Sequence, residues 1–129
     1  MGREIKFRAK RLDRDEWLYG NLVRIDDDYR IIEQEAHNNM VVDCQIVPET
    51  AGQFTGLRDK NGVEIYEGDL LSLDSWEGIH QISFIDGAFC LAFYKGDYHG
   101  EYSGDISYIH HAEREQAKII GNIHEGIKQ

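Results

Sequence analysis

The chain is predicted to be an all-β protein, and three features of its sequence carry that prediction. Short segments of alternating apolar and polar residues recur, as in Arg3 to Lys10. Turn-forming pairs separate many of them, with Asn61-Gly62 and Asp86-Gly87 as the clearest examples. The chain has a single proline, Pro48, so little interrupts the strand pattern. Roughly eight or nine short strands at such spacing are typical of β-sandwiches and small barrels.

Residues 1–50 are predicted to form a β-meander whose first two strands make a hairpin. Gly20 lies inside the second strand, where we expect a bulge or a point of close packing. Pro48 lacks a backbone N–H and should end the fourth strand. The expected strands are Arg3 to Lys10, Trp17 to Ile25, Tyr29 to Gln34 and Met40 to Val47.

A block from Gln53 to Leu70 reads as turn, strand, tight turn and the start of another strand. Glycines 56, 62 and 68 suit backbone conformations that other residues avoid. Asp59 and Asp69 are short carboxylates able to cap turns. Phe54, Ile65 and Tyr66 are the residues of this block that are expected to supply core. A structural role accounts for the whole block.

Residues 51–129 are predicted to form a small SH3-like barrel on which the meander packs, the two making one compact unit. After a strand at Leu70 to Leu73 and a loop at residues 74–78, Asp86-Gly87 predicts a hairpin. Phe89, Leu91 and Phe93 form the expected inward set of its second arm. The remaining elements are a short strand at 106–109, at most one helical turn at 110–116, a closing strand at 117–124 and a fraying tail.

Composition and charge indicate a soluble protein of the cytoplasm. No apolar run approaches the ~20 residues that cross a bilayer, and the N-terminus lacks an apolar signal segment. Cys44 and Cys90 lie in apolar strand segments and are predicted to be buried, reduced thiols. The formal net charge is −10. Residues 1–24 nevertheless carry an excess of positive charge, so the acidic character belongs to the remainder.

Three segments resemble the YopX family of small phage and prophage proteins. They are Ile5-Lys6-Phe7-Arg8-Ala9 followed by Trp17-Leu18-Tyr19-Gly20, the block from Gln53 to Leu70, and Ile119-Ile120-Gly121-Asn122-Ile123-His124-Glu125. The resemblance implies a phage or prophage origin and a host-cell location. It implies no catalytic residues, because the family has no established biochemical activity. Residues 26–47 and 95–116 show no family pattern and are plausible places for partner choice.

An aromatic cluster is the leading candidate for a binding site. Tyr and Trp provide large contact areas at low entropic cost, which favours them at protein interfaces. Ordinary core or rim packing accounts for the same residues equally well. The predicted function is therefore a non-catalytic protein-interaction module that binds a partner or itself. The candidate residues are Trp76, Tyr94, Tyr98, Tyr102 and Tyr108.

Nucleic-acid binding through the basic first hairpin is an alternative. Cationic side chains at every second position would project from one strand face towards phosphates. The acidic remainder of the chain repels phosphates and so opposes nucleic-acid binding. Ion pairing of the basic side chains with acidic neighbours in the fold is the simpler interpretation. The residues concerned are Lys6, Arg8, Lys10, Arg11 and Arg14.

A metal-dependent enzyme is a further alternative, located at residues 97–111. His99, His110 and His111 lie there among carboxylates, and such groups bind zinc, manganese or iron. Adjacent histidines on a strand point in opposite directions, however, and no hydrolase spacing is present. A solvated loop explains the cluster better. The sequence identifies no catalytic residue and predicts no cofactor.

Overall fold

A computed structural model describes residues 4–34, 40–74, 76–94, 107–108, 112 and 116–128. The described residues form an all-β protein with two antiparallel sheets, as the sequence predicts. No helix among them is long and apolar enough to span a membrane. The chain divides into two compact units, Met1–Phe54 and Thr55–Gln129. The boundary lies within one strand, β5 (Gly52–Arg58).

The first unit is the predicted meander. Each strand pairs antiparallel with the next, and β1 also pairs with the beginning of β5 through Phe7 and Gln53. A 3-10 turn at Pro48–Thr50 follows the fourth strand, where the proline was expected to stop it. The strands are β1 (Phe7–Lys10), β2 (Trp17–Ile25), β3 (Asp28–Gln34) and β4 (Val41–Gln45).

Packing in the first unit explains the glycine that interrupts its second strand. Its core contains Ala9, Leu18, Ile31 and Ile46. A Cβ on Gly20 would lie 2.6 Å from the backbone oxygen of Ile32, so the predicted close packing at this glycine is confirmed. No larger residue fits there unless β3 moves.

The second unit contains the end of β5, seven further strands and their turns. The sheet order is β10-β9-β8-β7-β11-β12, while β6 neighbours β5. The strands are β6 (Glu64–Tyr66), β7 (Asp69–Leu73), β8 (Trp76–Ile85), β9 (Ala88–Phe93), β10 (Ser107–Tyr108), β11 (Lys118–Asn122) and β12 (Gly126–Ile127). The SH3-like closure of this unit remains a prediction.

The Asp86-Gly87 hairpin is confirmed and organises the core of the second unit. Asp86 and Gly87 have φ values of 52° and 82°, as a two-residue hairpin turn of the mirror-image type requires. Leu91 is fully buried, and Phe89 packs against the same core. Phe93 is 36% exposed, so only part of the predicted inward set faces the core.

Two predicted irregular segments are strands instead. The expected loop at 74–78 gives way to β8 at Trp76, and the expected tail contains β12. Pairing explains the first difference, because β7 pairs with Trp76 and His80 and β9 pairs with His80. Between them Gly78 has a φ of 82°, and the Phe93 ring lies 2.7 Å from where its Cβ would be. Most of the predicted helical turn at 110–116 lies outside the described residues.

The two cysteines are free thiols with different exposure. Cys90 is buried in β9, as predicted. Cys44 in β4 is only half-buried, because its strand lies at the edge of the first unit's sheet.

Candidate functional site

The carboxylate of Asp59 organises the turn in the central block. Its Oδ1 accepts hydrogen bonds from the backbone N–H groups of Asn61 and Val63, at 2.8 and 2.9 Å. Its Oδ2 accepts one from Ile119, 60 residues further along the chain, at 3.2 Å. Asp59 is 8% exposed. The block therefore ties its own turn to β11, which confirms the structural role predicted for this aspartate.

The second turn of the block, around Gly68, joins three strands. Asp69 is buried and its Oδ2 accepts a hydrogen bond from the Tyr66 N–H at 2.7 Å. The Gly68 N–H donates to the Ile82 oxygen, and the Gly68 oxygen accepts from the Ile123 N–H, both at 2.9 Å. The φ of 94° at Gly68 suits glycine. This turn fixes where β7 begins beside β8.

Strand β8 continues beyond the beginning of β7, which leaves one of its edges open. Tyr94 donates its N–H to the Ile79 oxygen in the β8–β9 ladder, so odd-numbered residues of β8 bond to β9. Even-numbered residues face the other side, where Ile82 accepts from Gly68. By the same alternation the backbone N–H and C=O of Phe84 face that side. The pairing of β7 with β8 does not reach Phe84.

A cleft of about 240 Å³ lies along this open edge, and we call it the edge cleft. Phe84 borders it with 52% of its surface exposed, although its ring also packs edge-on against Phe89 at 5.1 Å. Because the cleft follows the strand edge, residues from both faces of β8 border it. Its lining residues are Glu67, Gly68, Gln81, Ile82, Ser83, Phe84, Ile85 and Ile123.

Gln81 brings a buried polar group to the edge cleft. The residue is 5% exposed, and its Nε2 donates to the Ser83 hydroxyl oxygen at 2.8 Å. Its Oε1 is buried without a hydrogen-bond partner. Leaving a buried acceptor unsatisfied costs about 1–3 kcal/mol. A ligand with an N–H or O–H donor that reached this oxygen would recover that cost.

The lining of the edge cleft combines apolar side chains with three polar ones. It offers one carboxylate from Glu67, the carboxamide of Gln81 and the hydroxyl of Ser83. Across the described residues, no group of three or more His, Cys, Asp or Glu side chains could hold a metal ion. Backbone groups at the edge and apolar side chains beside them fit an extended peptide.

The predicted aromatic cluster lies away from the edge cleft, as far as it is described. Trp76 begins β8, at the end opposite to Phe84. Tyr94 is half-buried next to β9, and Tyr108 pairs with Cys90 in β10. Tyr98 and Tyr102 lie outside the described residues. A shared binding surface for the five residues therefore stays a prediction.

The basic side chains of the first hairpin are engaged within that hairpin. Lys10 forms an ion pair with Asp15. Arg11 pairs with Asp13 at 2.8 Å and holds the pKa of that carboxyl below its ordinary value, while the carboxylate raises the pKa of Arg11. Further pairs join Lys6 to Glu4 at 3.6 Å, and Arg14 and Arg11 to Glu16 at 3.4 and 3.5 Å.

Arg8 departs from the predicted charged outer face of β1. It is 7% exposed, and its guanidinium carbon lies 4.8 Å from the centre of the Trp17 ring. The reason is pairing with β2, which places the indole of Trp17 over both Arg8 and Lys10. The expected row of outward cations is therefore broken at its centre.

The predicted metal-ligating histidines, His99, His110 and His111, lie outside the described residues. Among the described histidines, His80 is 8% exposed and its ring packs edge-on against Phe93, 5.6 Å between centres. Burial lowers the pKa of His80 below its ordinary value. The imidazole is therefore neutral at pH 7.

Sequence reasoning did not find the edge cleft. Phe84 looks in the sequence like one more residue of a hairpin arm, and Gln81 like a surface residue of the same arm. The available signal was the unequal length of the two strand segments on either side of Asp74, because a ten-residue strand next to a five-residue strand leaves an edge open.

Comparison with known proteins identifies a family over almost the whole chain. The family described as YopX protein matches residues 6–127. No curated protein matches the chain. The match includes the Asp59 turn, the Gly68 turn and every residue that lines the edge cleft.

Proposed function

The chain belongs to the YopX protein family, and we propose that it is a non-catalytic protein-interaction module. Its partner contributes an extended segment that pairs with the open edge of β8. The observation that supports this most directly is the edge cleft, where the backbone of Phe84 faces an opening about 240 Å³ in volume. Open strand edges are templates for pairing with another chain.

The neighbourhood of Phe84 supports both affinity and specificity. In strand addition, backbone hydrogen bonds hold the incoming segment and alternate side chains enter flanking pockets. The backbone N–H and C=O of Phe84 provide the groups for those hydrogen bonds. The exposed part of the Phe84 ring and the apolar side chains of Ile85 and Ile123 provide the flanking pockets.

We also propose that the module serves a phage or prophage and works in the cytoplasm of the host. The support is the resemblance of the Gln53–Leu70 block and of the closing segment to phage and prophage proteins. Free thiols at Cys44 and Cys90 suit a reducing compartment. The partner is a host protein or a second copy of this chain.

The basic hairpin gives less support to nucleic-acid binding. Lys6, Lys10, Arg11 and Arg14 each have a carboxylate within ion-pair distance. Phosphates would have to compete with those carboxylates, and the net charge of −10 opposes their approach. Binding to DNA or RNA would appear as a salt-sensitive shift of labelled probes.

The test compares capture of partners from host lysate by three tagged proteins, with nuclease present. Phe84→Pro removes the N–H at the edge and leaves the bonds between β8 and β9, because Phe84 does not donate to β9. Ile127→Ala is the matched control, since Ile127 is 47% exposed in the same unit and does not line the edge cleft.

The proposal predicts a stoichiometric protein that the unmodified chain and Ile127→Ala retain and Phe84→Pro loses. Thermal unfolding of each variant controls for loss of structure. If all three proteins retain the same partner, the edge cleft is not the interface. If none retains a partner and light scattering shows a monomer, the interaction module itself is refuted.

A further inference from the structure

We propose that the edge cleft selects a basic residue, so that the partner segment places Lys or Arg against Gln81 and Glu67. This inference rests on the proposed function, because the basic residue belongs to the segment that pairs with β8. Two independent features of the cleft support it: a buried acceptor without a partner, and the sign of the surrounding charge.

The acceptor is Oε1 of Gln81. The Nε2 of Gln81 donates to the Ser83 hydroxyl oxygen at 2.8 Å, and Oε1 is the atom of the amide that has no protein partner. An amide oxygen that has no partner in the free protein requires a donor from the ligand. Carboxylates in the partner are disfavoured at this position because they offer no proton.

The charge of the cleft decides which donor is preferred. Glu67 is the only ionisable residue among the described residues that line it. The second unit as a whole, residues 55–129, has thirteen acidic and six basic residues, an excess of seven negative charges. A cationic donor therefore gains from the local carboxylate and from the field of the unit, whereas a neutral donor gains from neither.

The strand geometry also predicts the residues beside the basic one. Gln81, Ser83 and Ile85 share one face of β8, and Phe84 lies on the other face. Consecutive residues of an added strand point to opposite faces, so neighbours of the basic residue meet the exposed Phe84 ring. Ile85 covers the methylene stem of the Lys or Arg side chain. The predicted recognition pattern is an apolar residue, a basic residue and a second apolar residue.

The first experiment selects a displayed library of random heptapeptides on the full chain. We expect enrichment of Lys or Arg with an aliphatic or aromatic residue on each side. A labelled synthetic copy of an enriched peptide then binds the unmodified protein and Ile127→Ala equally. The affinity of that peptide for Gln81→Leu should fall by about tenfold or more. Gln81→Glu, which retains an acceptor and adds charge, should bind it at least as tightly as the unmodified protein.

Replacing the basic residue of the peptide with norleucine separates this inference from the proposed function. The norleucine peptide should bind the unmodified protein more weakly than the basic peptide does. Gln81→Leu should not change the affinity of the norleucine peptide. If Phe84→Pro abolishes binding but the selected peptides have no basic preference, strand addition stands and the charge inference is overturned. If Gln81→Leu binds the basic peptide normally, the inference is overturned as well. If no selected peptide depends on Phe84, both proposals fail.

Discussion

The carboxylate of Asp59 gives the most demanding test of how the central block stabilises the second unit. Asp59→Ala removes an acceptor that serves three backbone N–H groups, from Asn61, Val63 and Ile119. Hydrogen bonds to a charged group contribute about 1.5–3 kcal/mol each. Water can replace the acceptor at the exposed Asn61 and Val63 but less readily at Ile119. We therefore expect a loss of about 3 kcal/mol in the free energy of unfolding.

Asp59→Asn separates the contribution of the two turn bonds from that of the bond to Ile119. Its remaining oxygen can still accept the two turn bonds, while its nitrogen faces the Ile119 N–H and cannot accept from it. The expected loss is about 1–2 kcal/mol. Asp74→Ala is the control, because Asp74 is an exposed carboxylate of the same unit and should change stability by less than about 0.5 kcal/mol.

Urea unfolding measures the loss in the free energy of unfolding. Residue-specific amide hydrogen exchange shows which backbone N–H groups have lost their acceptor. In Asp59→Ala, exchange should accelerate at Asn61, Val63 and Ile119, whereas in Asp59→Asn it should accelerate mainly at Ile119. The reasoning is refuted if Asp59→Ala unfolds within about 0.5 kcal/mol of the unmodified protein. Unchanged exchange at Ile119 would refute the connection to β11 specifically.

Three further predictions concern backbone packing and pH. Gly121→Ala should cost about 3 kcal/mol or more in thermal unfolding, because its Cβ would lie against a backbone oxygen of β12, whereas Gly62→Ala, in open space at φ 83°, should cost only about 1–2 kcal/mol. Burial lowers the pKa of His80, so the unfolded chain binds the proton first and stability falls as pH drops below about 6.5. His80→Phe should reduce this loss of stability at low pH, which urea unfolding midpoints measured at a series of pH values would show. Hydrogen bonds from Gln45, the larger effect, and from Arg30 lower the pKa of Asp28. Gln45→Leu should therefore raise the pKa of Asp28 in an NMR titration.

The fold class and the turns were accessible from the sequence because local chemistry determines them. Asp86-Gly87 predicts its hairpin from backbone preference alone. The role of Asp59 follows from a short acidic side chain before Asn61-Gly62. Tyr19-Gly20-Asn21-Leu22 and Gly121-Asn122-Ile123 each contain a Gly-Asn pair, and the two glycines occupy similar places in the structure. Both glycines have a positive φ that other residues rarely adopt, 156° and 154°, and both lie against the backbone of a neighbouring strand.

The candidate site was not accessible because it depends on strand register and not on motif. Gln81 is buried where β8 pairs on both sides, with Leu70 and with Ala92. The edge at Phe84 is open because β7 begins at Asp69 and its pairing with β8 runs from Gln81 towards Trp76. Arg8 gives the opposite case, in which alternation predicts a solvent-facing cation and pairing with β2 covers it with Trp17. Long-range pairing determines all three outcomes.

Amide hydrogen exchange along β8, with and without a bound partner segment, tests the central claim most directly. In the free protein the Phe84 N–H should exchange rapidly, while Ser83 and Ile85 are protected by their bonds to β9. Binding of the captured partner, or of a selected peptide, should then protect Phe84. Protection of Phe84 in the free protein to the level of its neighbours would contradict an open edge. Binding that leaves its exchange unchanged would contradict strand addition.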